Sequence, residues 1–337
     1  MFRLAAVLAF LATPILAGLD EADVTILTFD QLEGWESDDH QAALGVFLDT
    51  CRLLDDPEWA SICALAETQD SGRTFFELFF RPVLIEDGKD ALFTAYYEPE
   101  IRGSRSPGGR YRHPVYRKPP GSTGYSRRQI EVDGVLRGRG LEIAWVEDPV
   151  ELQFLQIQGS GRIRLPDGGS IRLGYAGSNG HRFSSLGDKL VAMGVYNRHQ
   201  VSARVIQAWV HRNPVEGQDL MMHNASYVFF RELGRVAASK GPVGAMNRSI
   251  TAQRSLAVDP AFTPLGAPVW LEKGGAGAFS RLMIAQDTGS RIKGAQRADI
   301  FLGTGDQAGQ AAGKVRDPGR MVVLLPIQRA YALKPEG

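Results

Sequence analysis

The sequence predicts a mainly β protein with short helices. Two observations predict it. Short β-rich runs recur from residue 91 onward, each closed off by Gly or Pro, of which the chain has 38 and 18. Helical spacing, by contrast, is confined to brief amphipathic stretches. Many short strands punctuated by turn residues suit barrels better than a doubly wound sheet, which needs long crossover units. The length of 337 residues, with 44% hydrophobic and 23% charged side chains, allows a sizeable core and points to two domains.

The elements follow in order. Met1–Ala17 has an early cation (Arg3), an apolar run from Leu4 to Leu11 and a small residue at Ala17, the layout of a secretory signal peptide. The run is too short to span a bilayer, and no later stretch stays apolar for 18 residues, so no transmembrane segment is expected. No Cys stands near the cleavage point, the usual place of a bacterial lipid anchor, so an exported soluble protein is expected. Residues 38–85 read as two or three short helices, the last being Arg73–Phe80. Leu44, Phe47, Leu48 and Cys51 recur at helical spacing; Asp56-Pro57 then opens a second helix carrying Trp59, Ile62, Cys63 and Ala66 on one face. Cys51 and Cys63 are the two cysteines of the chain. In an oxidising compartment they would form a disulfide between the two helices, stabilising the fold by about 3 kcal/mol.

Ala91–Tyr97 is β-rich and ends at Glu98-Pro99, and residues 101–140 lack clear periodicity. Gly140–Val146, Leu152–Gln158, Arg162–Leu165 and Ser170–Tyr175 read as strands, with Pro166–Gly169 a hairpin turn. Helices are expected at Ser185–Met193 and Ser202–Arg212. Strands are expected at Ser249–Leu256, Pro268–Glu272, Arg281–Asp287, Ala298–Leu302 and Met321–Pro326.

Net charge is zero, which argues against a dedicated nucleic-acid binder, but the charge is unevenly spread. Residues 18–100 hold 20 acidic and 4 basic side chains, whereas residues 101–140 hold 2 acidic and 10 basic. That basic stretch reads as a solvated loop, an RNA-binding arm or a site for an anionic polymer. Tyr96, Tyr97, Tyr111 and Tyr116 around it would suit stacking on sugar rings. The six His are scattered without HExxH spacing, so neither a metal site nor a cofactor is expected.

The densest polar signal is Arg281–Phe301. One strand ends in Asp287-Thr288-Gly289, a loop carries Arg291, Lys293 and Arg297, and a second strand carries Asp299 between Ala298 and Ile300. A carboxyl among apolar neighbours is a candidate proton donor near neutral pH, because burial disfavours its charged form. Asp287 is either part of that chemistry or an Asx-turn residue. Asp-Thr-Gly also occurs in the active-site loop of aspartic peptidases. Those need two such loops or a symmetric dimer, and one is present here.

A resemblance rests on ordered blocks: FTAYYEPEI (93–101), YRHPVYRKPP (111–120), LQIQGSGRI (155–163), RLGYAGSNGH (172–181) and NASYVFF (224–230). They resemble the lytic murein transglycosylase A family. RSLAVDPAFTPLG (254–266), AQDTGSRIKG (285–294) and ADIFLG (298–303) resemble the small domain named for three aspartates, here Asp259, Asp287 and Asp299. The resemblance implies a double-psi β-barrel from residues 18–100 and 226–337, an inserted β-rich domain at 101–225, and a groove between them for glycan. It implies non-hydrolytic cleavage of the β-1,4 bond between N-acetylmuramic acid and N-acetylglucosamine, leaving a 1,6-anhydro end, in a Gram-negative periplasm. It also implies Asp299 as the catalytic group. Asp287 and Asp259 would support it, and Lys293 or Arg297 would tune it. Thr94, Tyr97, Gln158, Ser160, Tyr175 and Asn179 are the expected sugar-holding residues. The expected partner is peptidoglycan, alongside cell-wall synthesis or division proteins. A non-catalytic wall-binding module is the main rival. The loop between Asp287 and Asp299 is one residue longer than the family's pattern.

Overall fold

The computed structural model describes residues 18–54, 56–121, 124–234, 236–237 and 239–333. The export signal expected at residues 1–17 lies outside the described residues. Among the described residues no helix is long and apolar enough to cross a membrane.

The strands, in chain order, are β1 (Asp23–Ile26), β2 (Phe80–Glu86), β3 (Leu92–Glu98), β4 (Glu100–Ser104), β5 (His113–Tyr116), β6 (Glu142–Val146), β7 (Gly161–Arg164) and β8 (Ser170–Ser178). They continue with β9 (Val228–Leu233), β10 (Ser255–Val258), β11 (Pro268–Lys273), β12 (Phe279–Thr288), β13 (Arg297–Thr304), β14 (Arg316–Asp317) and β15 (Gly319–Pro326). They form a nine-stranded sheet, ordered β1-β2-β15-β11-β12-β10-β13-β3-β14, and a six-stranded sheet, ordered β5-β6-β4-β7-β8-β9. The protein is mainly β, as its sequence predicts.

The chain divides into two units: Met1–Phe93 with Arg254–Asp299 and Arg316–Gly337, and Thr94–Gln253 with Ile300–Val315. In the first, helices α1 (His40–Cys51), α2 (Pro57–Ala66) and α3 (Gly72–Phe79) each begin at a capping side chain. Asp39 accepts from the Ala42 N–H, Asp56 from Glu58 and Ser71 from Thr74, satisfying amides that the first helical turn leaves unpaired. The Cys51–Cys63 disulfide joins α1 to α2 with Cα atoms 5.6 Å apart. Around it Phe47 packs against Trp59, Phe75, Phe76 and Phe80, all buried. The third helix stops one residue earlier than expected, because Phe80 starts β2, whose antiparallel partner β15 lies at the far end of the sequence.

Strand β12 pairs antiparallel with β11 and parallel with β10. The parallel register sets Ala257 opposite Asp287 and Val258 opposite Thr288. Two parallel strands therefore end side by side, with Asp259 following β10 next to the Asp287–Thr288 end of β12.

In the second unit β4 runs parallel to β7, whereas β4 with β6, β5 with β6, β7 with β8 and β8 with β9 are antiparallel. Residues 101–140, irregular by sequence, contain β5 and a short helix α4 (Arg127–Glu131). The strand expected at Leu152–Gln158 is instead the end of helix α5 (Pro149–Gln158). Asp148 caps it by accepting from the Val150 N–H, Pro149 occupies its first turn, and Gly159 ends it in the left-handed region (φ 78°). Leu152 and Leu155 pack on the sheet core, while Val150 and Phe154 pack among helices α6 (Leu186–Ala192), α7 (Ala203–Arg212) and α8 (Pro214–His223). A helix buried on both sides has no polar stripe, so its sequence carries no 3.6-residue rhythm.

Candidate active site

In the first unit the three aspartates sit at strand ends. Asp259 directly follows β10 and is 5% exposed. Its Oδ1 accepts from Lys293 Nζ (3.0 Å) and from the Ala261 N–H (3.3 Å); its Oδ2 accepts from the Gly294 N–H (3.0 Å). Asp259 thus ties the loop after β12 to the end of β10. Gly294 adopts φ +123°, a conformation that side chains disfavour, at the point where its amide turns to the carboxylate. The Lys293 ammonium that sequence reading left free to act on Asp299 is paired with Asp259. Asp287, half-buried, accepts from its neighbour's Thr288 N–H at 2.9 Å, a local turn contact.

Asp299 is the third residue of β13. Its neighbours Ala298 and Ile300 are buried and point to the opposite face, whereas Arg297 and Asp299 are half-buried and share a face. The apolar setting read from sequence therefore lies behind Asp299, with a cation beside it. Arg297 is anchored by donation to the backbone carbonyls of Leu92 and Ala298. Burial pushes the Arg297 guanidinium below its usual range, and the Asp299 charge acts against that fall. The half-accessible carboxylate can meet an incoming group, with the Arg297 charge beside it.

In the second unit the Tyr97 N–H donates to Gln158 Oε1 (3.2 Å), so β3 is pinned to the C-terminal end of α5. The Tyr97 ring lies over Gly309, where an added Cβ would come within 2.7 Å of it. Burial raises the Tyr97 hydroxyl pKa, and the charges of Asp306 and Glu151 add to this. Thr94 lies on β3, half-buried; Ser160 is buried just after Gly159; Tyr175 on β8 is 55% exposed, beside a bulge. Asn179 is turned inward. Its Nδ2 donates to the carbonyls of Tyr125 and Ala225, both at 2.8 Å, and its Oδ1 accepts from the N–H groups of Tyr227 and His181. A cavity of about 420 Å³ lies against this loop, lined by Lys118, Gly121, Ser178, Asn179, Gly180 and Phe229.

Sequence reading missed Glu98. This side chain is fully buried and accepts from Arg162 Nε (2.8 Å), an Arg172 guanidinium nitrogen (3.1 Å) and the Thr304 hydroxyl (2.8 Å). The signal in the sequence is a charged residue closing an apolar strand, with Arg162 and Arg172 alternating with apolar residues on later strands.

Two family descriptions match this chain: the MltA specific insert domain over residues 92–231 and the 3D domain over residues 254–325. A relative from Vibrio cholerae, membrane-bound lytic murein transglycosylase A, is 31% identical over 261 residues, 73% of this chain and 70% of its own. The chain belongs to the lytic murein transglycosylase A family. Solved structures of the family agree. A membrane-bound lytic murein transglycosylase from Agrobacterium tumefaciens superposes with a TM-score of 0.82 and 33% identity, covering 93% of this chain and all of that one. The Escherichia coli family member with bound chitohexaose gives 0.72 and 26%, covering 86% and 89%. In this chain the family's 3D match contains Asp259, Asp287 and Asp299, and its insert match contains Thr94, Tyr97, Gln158, Ser160, Tyr175 and Asn179.

Proposed function

We propose that this enzyme cleaves the β-1,4 bond between N-acetylmuramic acid and N-acetylglucosamine in peptidoglycan without water, leaving a 1,6-anhydro-muramoyl end. The observation that carries the reading is Asp299, half-accessible on β13, with the anchored Arg297 on the same strand face. Hydrolytic glycosidases generally use two carboxylates. Here one suffices, because the nucleophile belongs to the substrate. Protonated Asp299 gives its proton to the glycosidic oxygen as the C1–O bond breaks. The resulting carboxylate, stabilised by Arg297, then takes the proton of the muramoyl C6 hydroxyl as that oxygen bonds to C1. Intramolecular attack carries a high effective molarity, which lets it outrun water.

Asp259 supports the site by holding the loop that leads into β13, and Asp287 shapes the adjoining turn. Thr94, Tyr97, Gln158, Ser160 and Tyr175 are the proposed sugar-holding groups, while Asn179 shapes the loop that bears it. The proposed division places the barrel in 18–100 and 226–337 and the insert in 101–225. Export to a periplasm, in association with the outer membrane, accords with relatives named membrane-bound.

Purified sacculi digested by the enzyme should release anhydro-muropeptides, lighter by one water than lysozyme products. Asp299→Asn should lower release by at least about a hundredfold, the scale of losing a general acid–base. Wild-type release by Asp299→Asn would remove the assigned role. A hydrated reducing end would make the enzyme a hydrolase, and co-sedimentation with sacculi without any release would make it a binding module.

A further inference from the structure

Lys118 lines the cavity of about 420 Å³ in the second unit, together with Ser178 and Gly180. Its side chain is exposed and makes no ion pair among the described residues. Its stem lies along β8 at Gly177. A Cβ on that glycine would stand 2.9–3.1 Å from Lys118 Cδ, Cε and Nζ, so the missing side chain is what lets the lysine rest there. Gly177 has φ +133° at the end of a bulge in β8, so the backbone also favours glycine. The neighbouring walls add little charge. Asn179 has turned its amide and carbonyl to the backbone, and Phe229 is buried. Among the described residues, then, the lining of this concavity holds one ammonium, with the Ser178 hydroxyl accepting from the Gly180 N–H (3.4 Å) beside it, and the volume is of the size that small ligands use.

We propose that Lys118 binds a carboxylate carried on the muramoyl sugar of the glycan, a recognition site for the anionic side of the strand. This rests on peptidoglycan being the substrate. Uncharged sugar rings give an unpaired ammonium no counter-charge, whereas every second sugar of the wall polymer bears a lactyl group, and that group leads into an acidic peptide stem. A cation in a recess attracts that charge and fixes which sugar of the alternating pair sits beside it. The carboxylate comes from the lactyl group of stem-free glycan or from the stem itself.

The test measures binding by calorimetry with the Asp299→Asn protein and its Asp299→Asn/Lys118→Met counterpart. Three glycans of equal length serve as probes: chitohexaose, a stem-free muramoyl glycan and a stem-bearing one. Lys118→Met should weaken at least one of the two charged glycans about 3- to 5-fold, the scale of a partly exposed ion pair, and leave chitohexaose within twofold. The difference should vanish in 0.5 M salt and return with Lys118→Arg at low salt. Loss on the stem-free glycan alone assigns the lactyl carboxylate, which becomes an amide once a stem is attached; loss on the stem-bearing glycan alone assigns the stem, and loss on both shows that the site takes either carboxylate. Equal losses on all three probes, or none on either charged glycan, overturns the proposal. Failure of the wild-type enzyme to release anhydro products, with the Lys118 contrast intact, overturns the proposed reaction and leaves this site standing.

Discussion

Replacing Glu98 by Leu removes a carboxylate that no solvent reaches and that accepts from Arg162, Arg172 and Thr304. Leucine occupies similar space, so the loss is electrostatic rather than a cavity. Arg162 and Arg172, with side chains 12% and 7% exposed, would face the interior without counter-charge. Breaking a buried ion pair from one side costs about 3–5 kcal/mol. Both guanidinium groups keep the Lys240 carbonyl, and Arg172 also keeps that of Ala237. The lower end, about 3 kcal/mol, is therefore expected. In a domain of this size each kcal/mol moves the midpoint by about 2–4 °C. Thermal unfolding followed by circular dichroism and tryptophan fluorescence should thus show a drop of about 6–12 °C. Glu98→Gln keeps shape and one acceptor and should fall in between. A drop under 2 °C for Glu98→Leu would refute the view that this carboxylate locks β3, β7, β8 and the end of β13 together.

Two other outcomes concern the loop into β13 and the effect of acid. Asp259→Asn puts an NH₂ against either Lys293 or the Gly294 N–H, so one contact turns repulsive. Anhydro-muropeptide release should fall about 10- to 100-fold, since a displacement of about 1 Å in a reacting group has that effect, while the far-ultraviolet spectrum stays unchanged. Unaltered turnover would show that the loop is held by other means. His113 is half-buried, and burial lowers its pKa; the Asp148 charge opposes this and the Arg112 charge adds to it. As pH falls through the ordinary value of 6.5, the unfolded chain takes up a proton that the folded one does not, so stability declines. His113→Gln should flatten urea-denaturation stability between pH 7 and 5, and a steeper decline would contradict this.

Much of the architecture can be read from local chemistry. Asp56-Pro57 announces α2, and the spacing of Cys51 and Cys63 along two amphipathic faces announces their bond. The last strands are legible because β-rich runs are bounded by turn residues. Helix α5 is not legible, because both its sides are apolar and hydrophobic rhythm fails there; the Asp148-Pro149 opening and Gly159 close were the better signals. β4 and β5 are hidden in an arginine-rich stretch: Arg102 takes an outward position in β4, and Arg112 and Arg117 flank the four residues of β5. In the candidate site, Asp299 stands out by type and context. Its companion does not, because Lys293 and Arg297 look alike in sequence, and only the fold sends one to Asp259 and the other to Asp299. The Glu98 cluster depends on residues 64 to 206 positions away, a separation no local pattern encodes.

The pairing of β2 with β15 bears on how the chain reaches its native state. As the ribosome makes it, the N-terminal third emerges with Phe80–Glu86 able to pair with β1 but lacking its other neighbour, which is synthesised more than two hundred residues later. The contiguous stretch from 94 to 253 has most of its partners to hand much sooner. Closure of the first unit is thus deferred to the end of synthesis, the slow, long-range kind of contact that leaves apolar surface uncovered meanwhile. Until the last strand arrives, the first unit stays open while the second can already close.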